Sequence, residues 1–526
     1  MGAGRTRRRS SSCGCCAAAL SPESRAPRPG AERKTARMAR TPLNVQDATF
    51  LSVETADYPT HIAGLQIFEM PEADPDFVGR LVERLVQAPV APFWRRVLAP
   101  GFLGSTLSAD WIEAEEIDLD FHVRRMALPR PGSLEQLEHL VERLHARPLD
   151  RSRPLWECYF VEGLGPNRFA IYAKVHHALV DGMGGIWLAL AALAQDPEAE
   201  PTAPWSVDLP SRPRAPAPSL LDRLTGGARL VNDLSMQNLR QSLDWAGRLA
   251  GAHARADLPF AAPHTPFNGR VDGYRRFVTK SLPLTRVKAV AKATGTTIND
   301  VVLALTGAAL RTWLDGQGAL PERSLVASVP VSVRAADGAG NNLSALLADL
   351  GTDVETPLER LQRVRESTAR GKDMIARLSR GAAEAWALVM GLAGLAPALV
   401  NGGRTLPPLA NLVISNVPGP RGKRYYAGAE LIGYYPVSIL THGQGLNVTL
   451  VSRGESIDFG LTGAQSLIRD LDKLGDALEA ALADYEAAVG DDLAQRNAAF
   501  TAAVPAPVVD VEAGDGAARP GVTRVA

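Results

Sequence analysis

Residues 168–182 read RFAIYAKVHHALVDG, and this stretch decides the fold. Its first nine residues are mostly apolar and rich in aromatic and branched side chains, which predicts a buried β-strand that ends at a pair of histidines. Alternation along a strand places Ile171, Val175 and His177 on one face and His176 on the other. The sequence therefore predicts that His177 ends an apolar, inward-facing series where the strand opens into a cleft.

The chemistry that suits this position is proton transfer, because an imidazole titrates near neutral pH and can act as a general base. Asp181 lies four residues after His177, where the chain turns at Gly182 into an apolar helix. Two roles are open to Asp181: bracing the turn through a salt bridge, or orienting the imidazole. A metal site at His176 and His177 is disfavoured, since adjacent strand residues point to opposite faces and no third ligand is nearby in sequence.

The overall charge excludes some partners. The chain has 526 residues, with 57 Lys and Arg against 57 Asp and Glu, so its formal charge is zero. This neutrality argues against nucleic acid as a partner. Residues 1–40 carry a net charge of +8, which leaves −8 for residues 41–526.

The order of strand and helix patterns predicts an α/β (α+β) protein of two similar halves. Strand candidates of the second half are FVTKSL, LVASVPVSV, NLVISNV, LNVTLVS and IDFGLTG, and its helix candidates are Asp300–Leu314, Leu358–Leu378 and Leu471–Val489. We predict a disordered basic extension (1–40), an N-terminal half (41–196), a Pro-rich and helical linker (197–270), a C-terminal half (271–495) and a disordered tail (496–526).

The cysteines and the apolar runs bear on location. Cys158 is the only cysteine of residues 41–526, so this part of the chain holds no internal disulfide and a reducing compartment such as the cytoplasm is expected. The longest apolar run, Ala385 to Val400, has 16 residues, fewer than the roughly 20 that span a bilayer. It predicts a helix that is buried or faces lipid. Met38 begins a more typical protein start than Met1 does.

Three further motifs have structural interpretations of their own. Residues 154–157 (PLWE) predict entry into an element with a core tryptophan. Asn299 and Asp300, in TINDVV, predict the start of a helix, because Asn and Asp satisfy free N–H groups there. Residues 415–420 (SNVPGP) predict a strand end followed by a rigid turn. The sequence contains no G-x-S-x-G, H-E-x-x-H or Walker motif.

Together these motifs carry a family resemblance. HHALVDG resembles the HHxxxDG motif of the bacterial wax ester synthase/acyl-CoA:diacylglycerol acyltransferase family, a motif shared more widely with CoA-dependent acyltransferases and peptide-synthetase condensation domains. PLWE, TINDVV, SNVPGP and the start LNVQDATFLSVETADYPTHIAGLQIFE (residues 43–69) are similar to further motifs of that family and follow in the same order. The resemblance covers residues 43–490. One departure is Gly184-Gly185, where relatives often have Ser-Gly.

The resemblance implies two chloramphenicol-acetyltransferase-like halves joined by a linker, with a catalytic channel at their interface. It implies acyl transfer from acyl-CoA to diacylglycerol, which gives triacylglycerol, or to a long-chain alcohol, which gives a wax ester. His177 would be the general base, His176 a supporting residue and Asp181 a structural or orienting one. Substrate binding would involve Gly182, Asn299 and Asp300.

The resemblance implies no metal and no cofactor other than acyl-CoA as co-substrate. It implies peripheral contact with a membrane or lipid body, since the acceptors partition into lipid. Two alternatives stay open from the sequence. One is an HHxxxDG acyltransferase with another acceptor, condensation-like or polyketide-associated, and the other is a non-catalytic lipid-body protein.

Overall fold

The computed structural model of the chain describes residues 40–43, 45–99, 109–208, 260–334, 341–377 and 408–503. All of these residues lie within one compact unit. Predictions for the extension up to residue 39, for linker residues 209–259, for the run from Ala385 to Val400 and for residues 504–526 fall outside this description.

The described part of the chain alternates strands and helices. In chain order the strands are β1 (Thr41–Pro42), β2 (His61–Glu69), β3 (Arg96–Ala99), β4 (Asp110–Glu113), β5 (Val123–Ala127), β6 (Trp156–Leu164), β7 (Arg168–His176), β8 (Arg275–Pro283), β9 (Val326–Arg334), β10 (Asn341–Asp349), β11 (Leu412–Pro418), β12 (Tyr425–Tyr426), β13 (Ala429–Val437), β14 (Leu446–Arg453) and β15 (Ser456–Ala464). The helices are α1 (Val45–Val53), α2 (Phe77–Leu85), α3 (Leu119–His122), α4 (Leu134–His145), α5 (Gly182–Ala191), α6 (Leu284–Thr294), α7 (Ile298–Asp315), α8 (Pro357–Arg377) and α9 (Leu471–Ala503).

Two large sheets organise these elements. In the first, the described strands follow the order β12-β13-β2-β7-β6-β5, and in the second the order β10-β9-β11-β14-β15-β8. A small sheet, β1-β4-β3, accompanies them. In the first sheet β2 and β7 are antiparallel, with His61 opposite His176 at one end and Glu69 opposite Arg168 at the other. The predicted α/β class is confirmed.

Strands from the second half of the chain join the first sheet. β12 and β13 come from the second half of the chain, but β13 pairs antiparallel with β2 of the first sheet. The predicted boundary at residue 271 therefore separates stretches of sequence and does not separate the sheets. Which residues form each domain stays a prediction.

The core of the second half surrounds α7, whose residues from Asp300 to Leu310 are buried without a break. A helix that is apolar on all sides needs packing partners on all sides, and α6, α8, α9 and the second sheet supply them. At Gly307 the backbone of Leu350 comes so close that a Cβ would lie 2.4 Å from its carbonyl oxygen. Only glycine fits at this contact.

Both described ends of the predicted linker pack onto the body. Trp205, at 0% exposure, stacks on Trp156 with ring centroids 6.2 Å apart. At the other end, the side-chain amide of Asn268 donates to the carbonyl oxygens of Asn411 (2.9 Å) and Gly443 (2.7 Å). These ends form part of the fold, which the proline content alone did not indicate.

The predicted elements of the second half are present, and their boundaries shift. The five predicted strands are β8, β9, β11, β14 and β15, and the three predicted helices are α7, α8 and α9. Helix α9 runs to Ala503, so its last eight residues belong to the predicted tail, which starts at 496. Among the described residues, no helix is long and apolar enough to cross a membrane.

A buried carboxylate holds β13 to the second sheet. Asp458 on β15 accepts hydrogen bonds from the hydroxyl of Ser281 (2.7 Å), the backbone N–H of Tyr434 (3.0 Å) and Nε of Arg453 (2.9 Å). The Arg453 guanidinium also donates to the carbonyl oxygens of Leu431 and Ile432 on β13. One ion pair thus joins β13, β14, β15 and β8.

We predict that Asp458→Ala lowers the free energy of unfolding by about 3–5 kcal/mol, because it leaves Arg453 without its carboxylate and removes the acceptor of the Ser281 hydroxyl and the Tyr434 N–H. Glu430→Ala is the matched control, since Glu430 on β13 forms an ion pair with the exposed Lys423. Its loss should stay below about 1 kcal/mol. Urea denaturation followed by circular dichroism measures both, and equal losses would contradict the prediction.

Candidate active site

A cavity of about 410 Å³ lies between the two sheets. Strands β2, β7 and β13 of the first sheet and helix α5 line one side, and strands β11 and β14 of the second sheet line the other. Most of the lining is apolar, and includes Ile62, Ile171, Val175, Ile186, Leu188, Val413 and Leu446. The polar lining comprises Gln66, His177, Asp181, Ser415, Asn416, Ser438, Thr441, Gln444, Asn447 and Thr449. The arrangement suits a long apolar ligand that carries a small polar reacting group.

His177 stands at the end of β7 on the cavity side. Ile171, Ala173 and Val175 line the cavity with it, as the strand alternation predicts. The backbone N–H of His177 donates to the carbonyl of Thr60 at 3.0 Å, which extends the β2–β7 ladder by one residue. The ring of Phe50 packs on the imidazole, with centroids 4.3 Å apart. The ring is therefore held in place while staying half-buried and open to the cavity.

Burial determines the protonation state of His177. It lowers the pKa of the imidazole to about 4, against the opposing attraction of the Asp181 carboxylate. The side chain is thus neutral at physiological pH and has a free lone pair to accept a proton. When it accepts that proton, the negative charge of Asp181 stabilises the imidazolium.

Asp181 is the N-cap of α5. Its Oδ1 accepts a hydrogen bond from the backbone N–H of Gly184 at 2.7 Å. Among the described residues it makes no ion pair, so the salt bridge considered from the sequence is replaced by a cap. A short polar side chain does this because it reaches the free N–H groups of the first helical turn.

A second carboxyl near the cavity escaped the sequence analysis. Asp47 lies in the first turn of α1, where an acidic residue usually complements only the helix dipole. Burial raises its pKa to about 7, the charge of Asp181 adds to the rise, and Arg96 opposes it. Sequence spacing gives no sign of this, because Asp47 and Asp181 are brought near each other only by folding.

His176 points away from the cavity and is fully buried. Its Nε2 lies 3.0 Å from the hydroxyl of Thr60, and its Nδ1 accepts from the backbone N–H of Ala178 at 3.0 Å. The two adjacent histidines thus occupy opposite faces of β7, as predicted. No group of three metal-ligating side chains is found in the described part of the chain.

The three proposed substrate-binding residues are placed differently. Gly182 lines the cavity, and a Cβ there would meet nothing within 4 Å, so it leaves open space near Asp181. Asp300 is not among the lining residues: its carboxylate closes a capping box with Thr297, which is the N-cap of α7, and accepts from the hydroxyl of Thr368 at 2.8 Å. A helix does begin here, as predicted, but its N-cap is Thr297 and not Asn299 or Asp300.

Asn299 reaches the cavity wall through another residue. Its side-chain oxygen accepts from Nδ2 of Asn416 at 3.4 Å, and Asn416 lines the cavity together with Ser415. The sequence interpretation of SNVPGP as a strand end and turn fits Pro418, the last residue of β11, and misses the two polar side chains before it. TINDVV and SNVPGP are thus in contact.

Further polar groups in the cavity were also missed. The hydroxyl of Thr449 donates to Oδ1 of Asn447 at 2.8 Å and lies 2.8 Å from the hydroxyl of Ser438. The available signal was spacing, since Asn447 and Thr449 stand two apart in an otherwise apolar strand, which indicates a polar stripe on one face.

PLWE is structural, as interpreted. The indole of Trp156 stacks on His122 with centroids 4.4 Å apart, and its Nε1 donates to the carbonyl of Trp94 at 2.8 Å. Glu157 pairs with the buried Lys174 at 3.2 Å. Cys158 is buried, and burial raises the pKa of its thiol to about 12, which leaves it unreactive.

Comparison with known proteins gives a consistent result. The model of the wax ester synthase/diacylglycerol acyltransferase catalytic domain matches residues 43–302, and that of the WS/DGAT C-terminal domain matches residues 339–486. A probable diacylglycerol O-acyltransferase of Mycobacterium tuberculosis is 41% identical, covering 84% of this chain and 98% of its own. The O-acyltransferase WSD of Acinetobacter baylyi is 35% identical, covering 85% and 97%.

Solved structures agree. The wax ester synthase/diacylglycerol acyltransferase from Marinobacter aquaeolei VT8 matches with a TM-score of 0.69 and 35% identity, covering 86% of this chain and 100% of that one. The starter condensation domain of rhizomide synthetase matches with a TM-score of 0.52 and 14% identity, over 86% and 94%. The second likeness shows a shared fold only.

We predict that Asp181→Asn keeps the free energy of unfolding within about 0.5 kcal/mol of wild type, because the amide oxygen still accepts from Gly184. Asp181→Ala loses the cap and should cost about 0.5–2 kcal/mol. Urea denaturation of the two variants checks this. A loss above about 3 kcal/mol in both would instead indicate a buried ion pair.

Proposed function

Because this chain belongs to the wax ester synthase/diacylglycerol acyltransferase family, we propose that it transfers the acyl group of acyl-CoA to diacylglycerol or a long-chain alcohol. The products are triacylglycerol and wax ester. That the chain is an acyltransferase follows from its relatives, and it removes the non-catalytic alternative. The observation that carries the proposal is a neutral histidine at a strand end inside a largely apolar cavity.

In the proposed reaction, His177 removes the proton of the acceptor hydroxyl while its oxygen attacks the thioester carbonyl carbon. The tetrahedral intermediate then collapses, the carbon–sulfur bond breaks, and the imidazolium returns the proton to the leaving CoA thiolate. The ester is released without an acyl-enzyme, so no nucleophilic serine or cysteine takes part. General-base catalysis of this kind contributes about 10²–10⁴-fold.

The negative oxygen of the intermediate needs hydrogen-bond donors, which usually supply a large share of the rate enhancement. Polar side chains of the opposite wall are available for this role. Ser415 and Asn416, the latter held by Asn299, lie next to each other on β11 and line the cavity. These groups belong to the second sheet, whereas His177 belongs to the first, so the reacting carbonyl is placed between the sheets.

The lowered pKa of His177 suits the return of the proton to the CoA thiolate, because it makes the imidazolium a stronger acid. Burial keeps the resting imidazole neutral, and the charge of Asp181 eases formation of the imidazolium once the acceptor is deprotonated. The reaction as written needs no metal and no redox cofactor, because the thioester is already activated and histidine carries the proton. Acyl-CoA is the only co-substrate.

We propose that the enzyme is cytoplasmic. Because its acceptors partition into lipid, it makes peripheral contact with a membrane or lipid body. Among its described helices, none can span a bilayer. The apolar run from Ala385 to Val400, which we expect to be either a lipid contact or core, lies outside the described residues.

We predict that His177→Ala lowers kcat by about 10²–10⁴-fold with palmitoyl-CoA and either dispersed diacylglycerol or hexadecanol, while the protein stays folded. His139→Ala is the control, because His139 is a surface residue of α4 that pairs with Glu142. Its kcat should match wild type. More than a few percent of wild-type activity in His177→Ala would refute the assignment of the base, and acylation of an amine alone would favour a condensation-like acceptor.

We predict that in Asp47→Asn kcat/KM stays constant as the pH falls from 8 and declines only as His177 becomes protonated near pH 4, not near 6.5. Wild type should be measured beside it and should show a further inflection near pH 7, where the Asp47 carboxyl titrates close to Asp181. Rates in overlapping buffers give both profiles. A decline centred on 6.5 in Asp47→Asn would contradict the prediction.

A further inference from the structure

A buried ionised carboxylate stands behind the histidine pair, and the proposed reaction does not use it. The side chain of Glu54, 4% exposed, follows the end of α1. Its Oε2 accepts from Nε (2.9 Å) and Nη2 (2.8 Å) of Arg151, and its Oε1 accepts from the backbone N–H of Thr60 at 3.0 Å. Although burial acts to raise it, hydrogen bonds from His176, Thr60 and Arg151 hold the pKa of Glu54 at about 2.

Hydrogen bonds next to Glu54 fix which ring nitrogen of His176 carries the proton. Its Nδ1 accepts from the N–H of Ala178, so that nitrogen carries no proton and the proton is on Nε2. Nε2 then donates toward the Thr60 hydroxyl (3.0 Å), with Oε1 of Glu54 at 3.5 Å. The Thr60 hydroxyl keeps its own proton to donate, with the carbonyl of Phe50 at 3.2 Å and Oε1 of Glu54 at 3.4 Å as its acceptors.

Two routes lead from this cluster to His177. The first is the backbone, because the carbonyl of Thr60 accepts the N–H of His177. The second is the ring of Phe50, which packs on the imidazole and whose carbonyl receives the Thr60 hydroxyl. Arg151 strengthens the second route by also donating to the carbonyl of Leu51 at 2.6 Å, next to Phe50 in α1.

We propose that Glu54, clamped by Arg151, is a positioning residue that sets the imidazole of His177 through Thr60 and Phe50. Removing its charge frees the end of α1, the start of β2 and the end of β7 from one another, and the imidazole loses its fixed orientation toward the substrate. The inference rests on the proposed role of His177 as the base. It also assigns a task to His176, the other histidine of the motif: to link Thr60 to the turn after β7.

The first test is Glu54→Gln, which keeps the size of the side chain and removes its charge. We expect kcat to fall about 10- to 100-fold, because small displacements of a reacting group have effects of this size, with KM for palmitoyl-CoA and hexadecanol within about twofold. Glu69→Gln is the matched control. Glu69 forms the same bidentate pair with Arg168 at the far end of the same two strands, and its kcat should not change.

A second pair of variants keeps the test decisive if Glu54→Gln does not fold. Thr60→Val removes the hydroxyl between His176 and Phe50 and leaves the backbone carbonyl that binds His177, whereas Thr60→Ser keeps the hydroxyl. We expect kcat to fall about tenfold or more in Thr60→Val and to be restored in Thr60→Ser. A purely structural role predicts altered melting temperatures with equal kcat in both.

Nitrogen-15 NMR of labelled histidine gives a spectroscopic readout. In wild type His176 should show the neutral tautomer with its proton on Nε2, and in Thr60→Val the same tautomer should persist, because Ala178 still donates to Nδ1, while the Nε2 signal shifts with the loss of its acceptor. A folded Glu54→Gln or Thr60→Val with kcat within twofold of wild type, beside an inactive His177→Ala, would overturn the positioning role alone. An active His177→Ala would overturn the base and this inference together.

Discussion

The antiparallel ladder between β2 and β7 is the constraint on which the site depends. Its last pair joins His61 to His176, and one further hydrogen bond joins the N–H of His177 to Thr60. Because side chains alternate along a strand, a slip of one residue would turn His176 into the cavity and bury His177. The proposed chemistry thus requires a fixed register, and the Glu54 cluster lies at the end where that register is set.

The cavity depends on β13, a strand of the second half that joins the first sheet. β13 pairs with β2 in the first sheet, and its continuation through Ser438 adds to the lining of the cavity. The ion pair of Asp458 and Arg453 ties this strand to the second sheet. The proposed base and the available oxyanion donors therefore belong to different sheets and are brought together by one crossing segment.

Carboxyls near the histidine pair experience different environments, and their ionisation differs accordingly. Glu54 receives several hydrogen bonds, so its pKa is about 2, whereas Asp47 is buried near the charge of Asp181, so its pKa is about 7. Asp181 caps α5 and favours the protonated form of His177. Three acidic residues of one region thus have three roles. Glu54 is an ionised partner of Arg151, and Asp47 titrates near neutral pH. Asp181 caps a helix and acts electrostatically on the proposed base.

The sequence by itself determined the features that depend on neighbours along the chain. Alternation in β7 separated His177 from His176, apolar runs located five strands of the second half (β8, β9, β11, β14 and β15), and five ordered motifs identified the family. Tertiary structure alone decided that β13 joins the first sheet, that Asn299 meets Asn416 from 117 residues away, and that Glu54 and Asp47 have displaced pKa values. The reason is physical: strand direction is set by local backbone geometry, whereas burial, charge and register depend on partners that only the folded chain brings together.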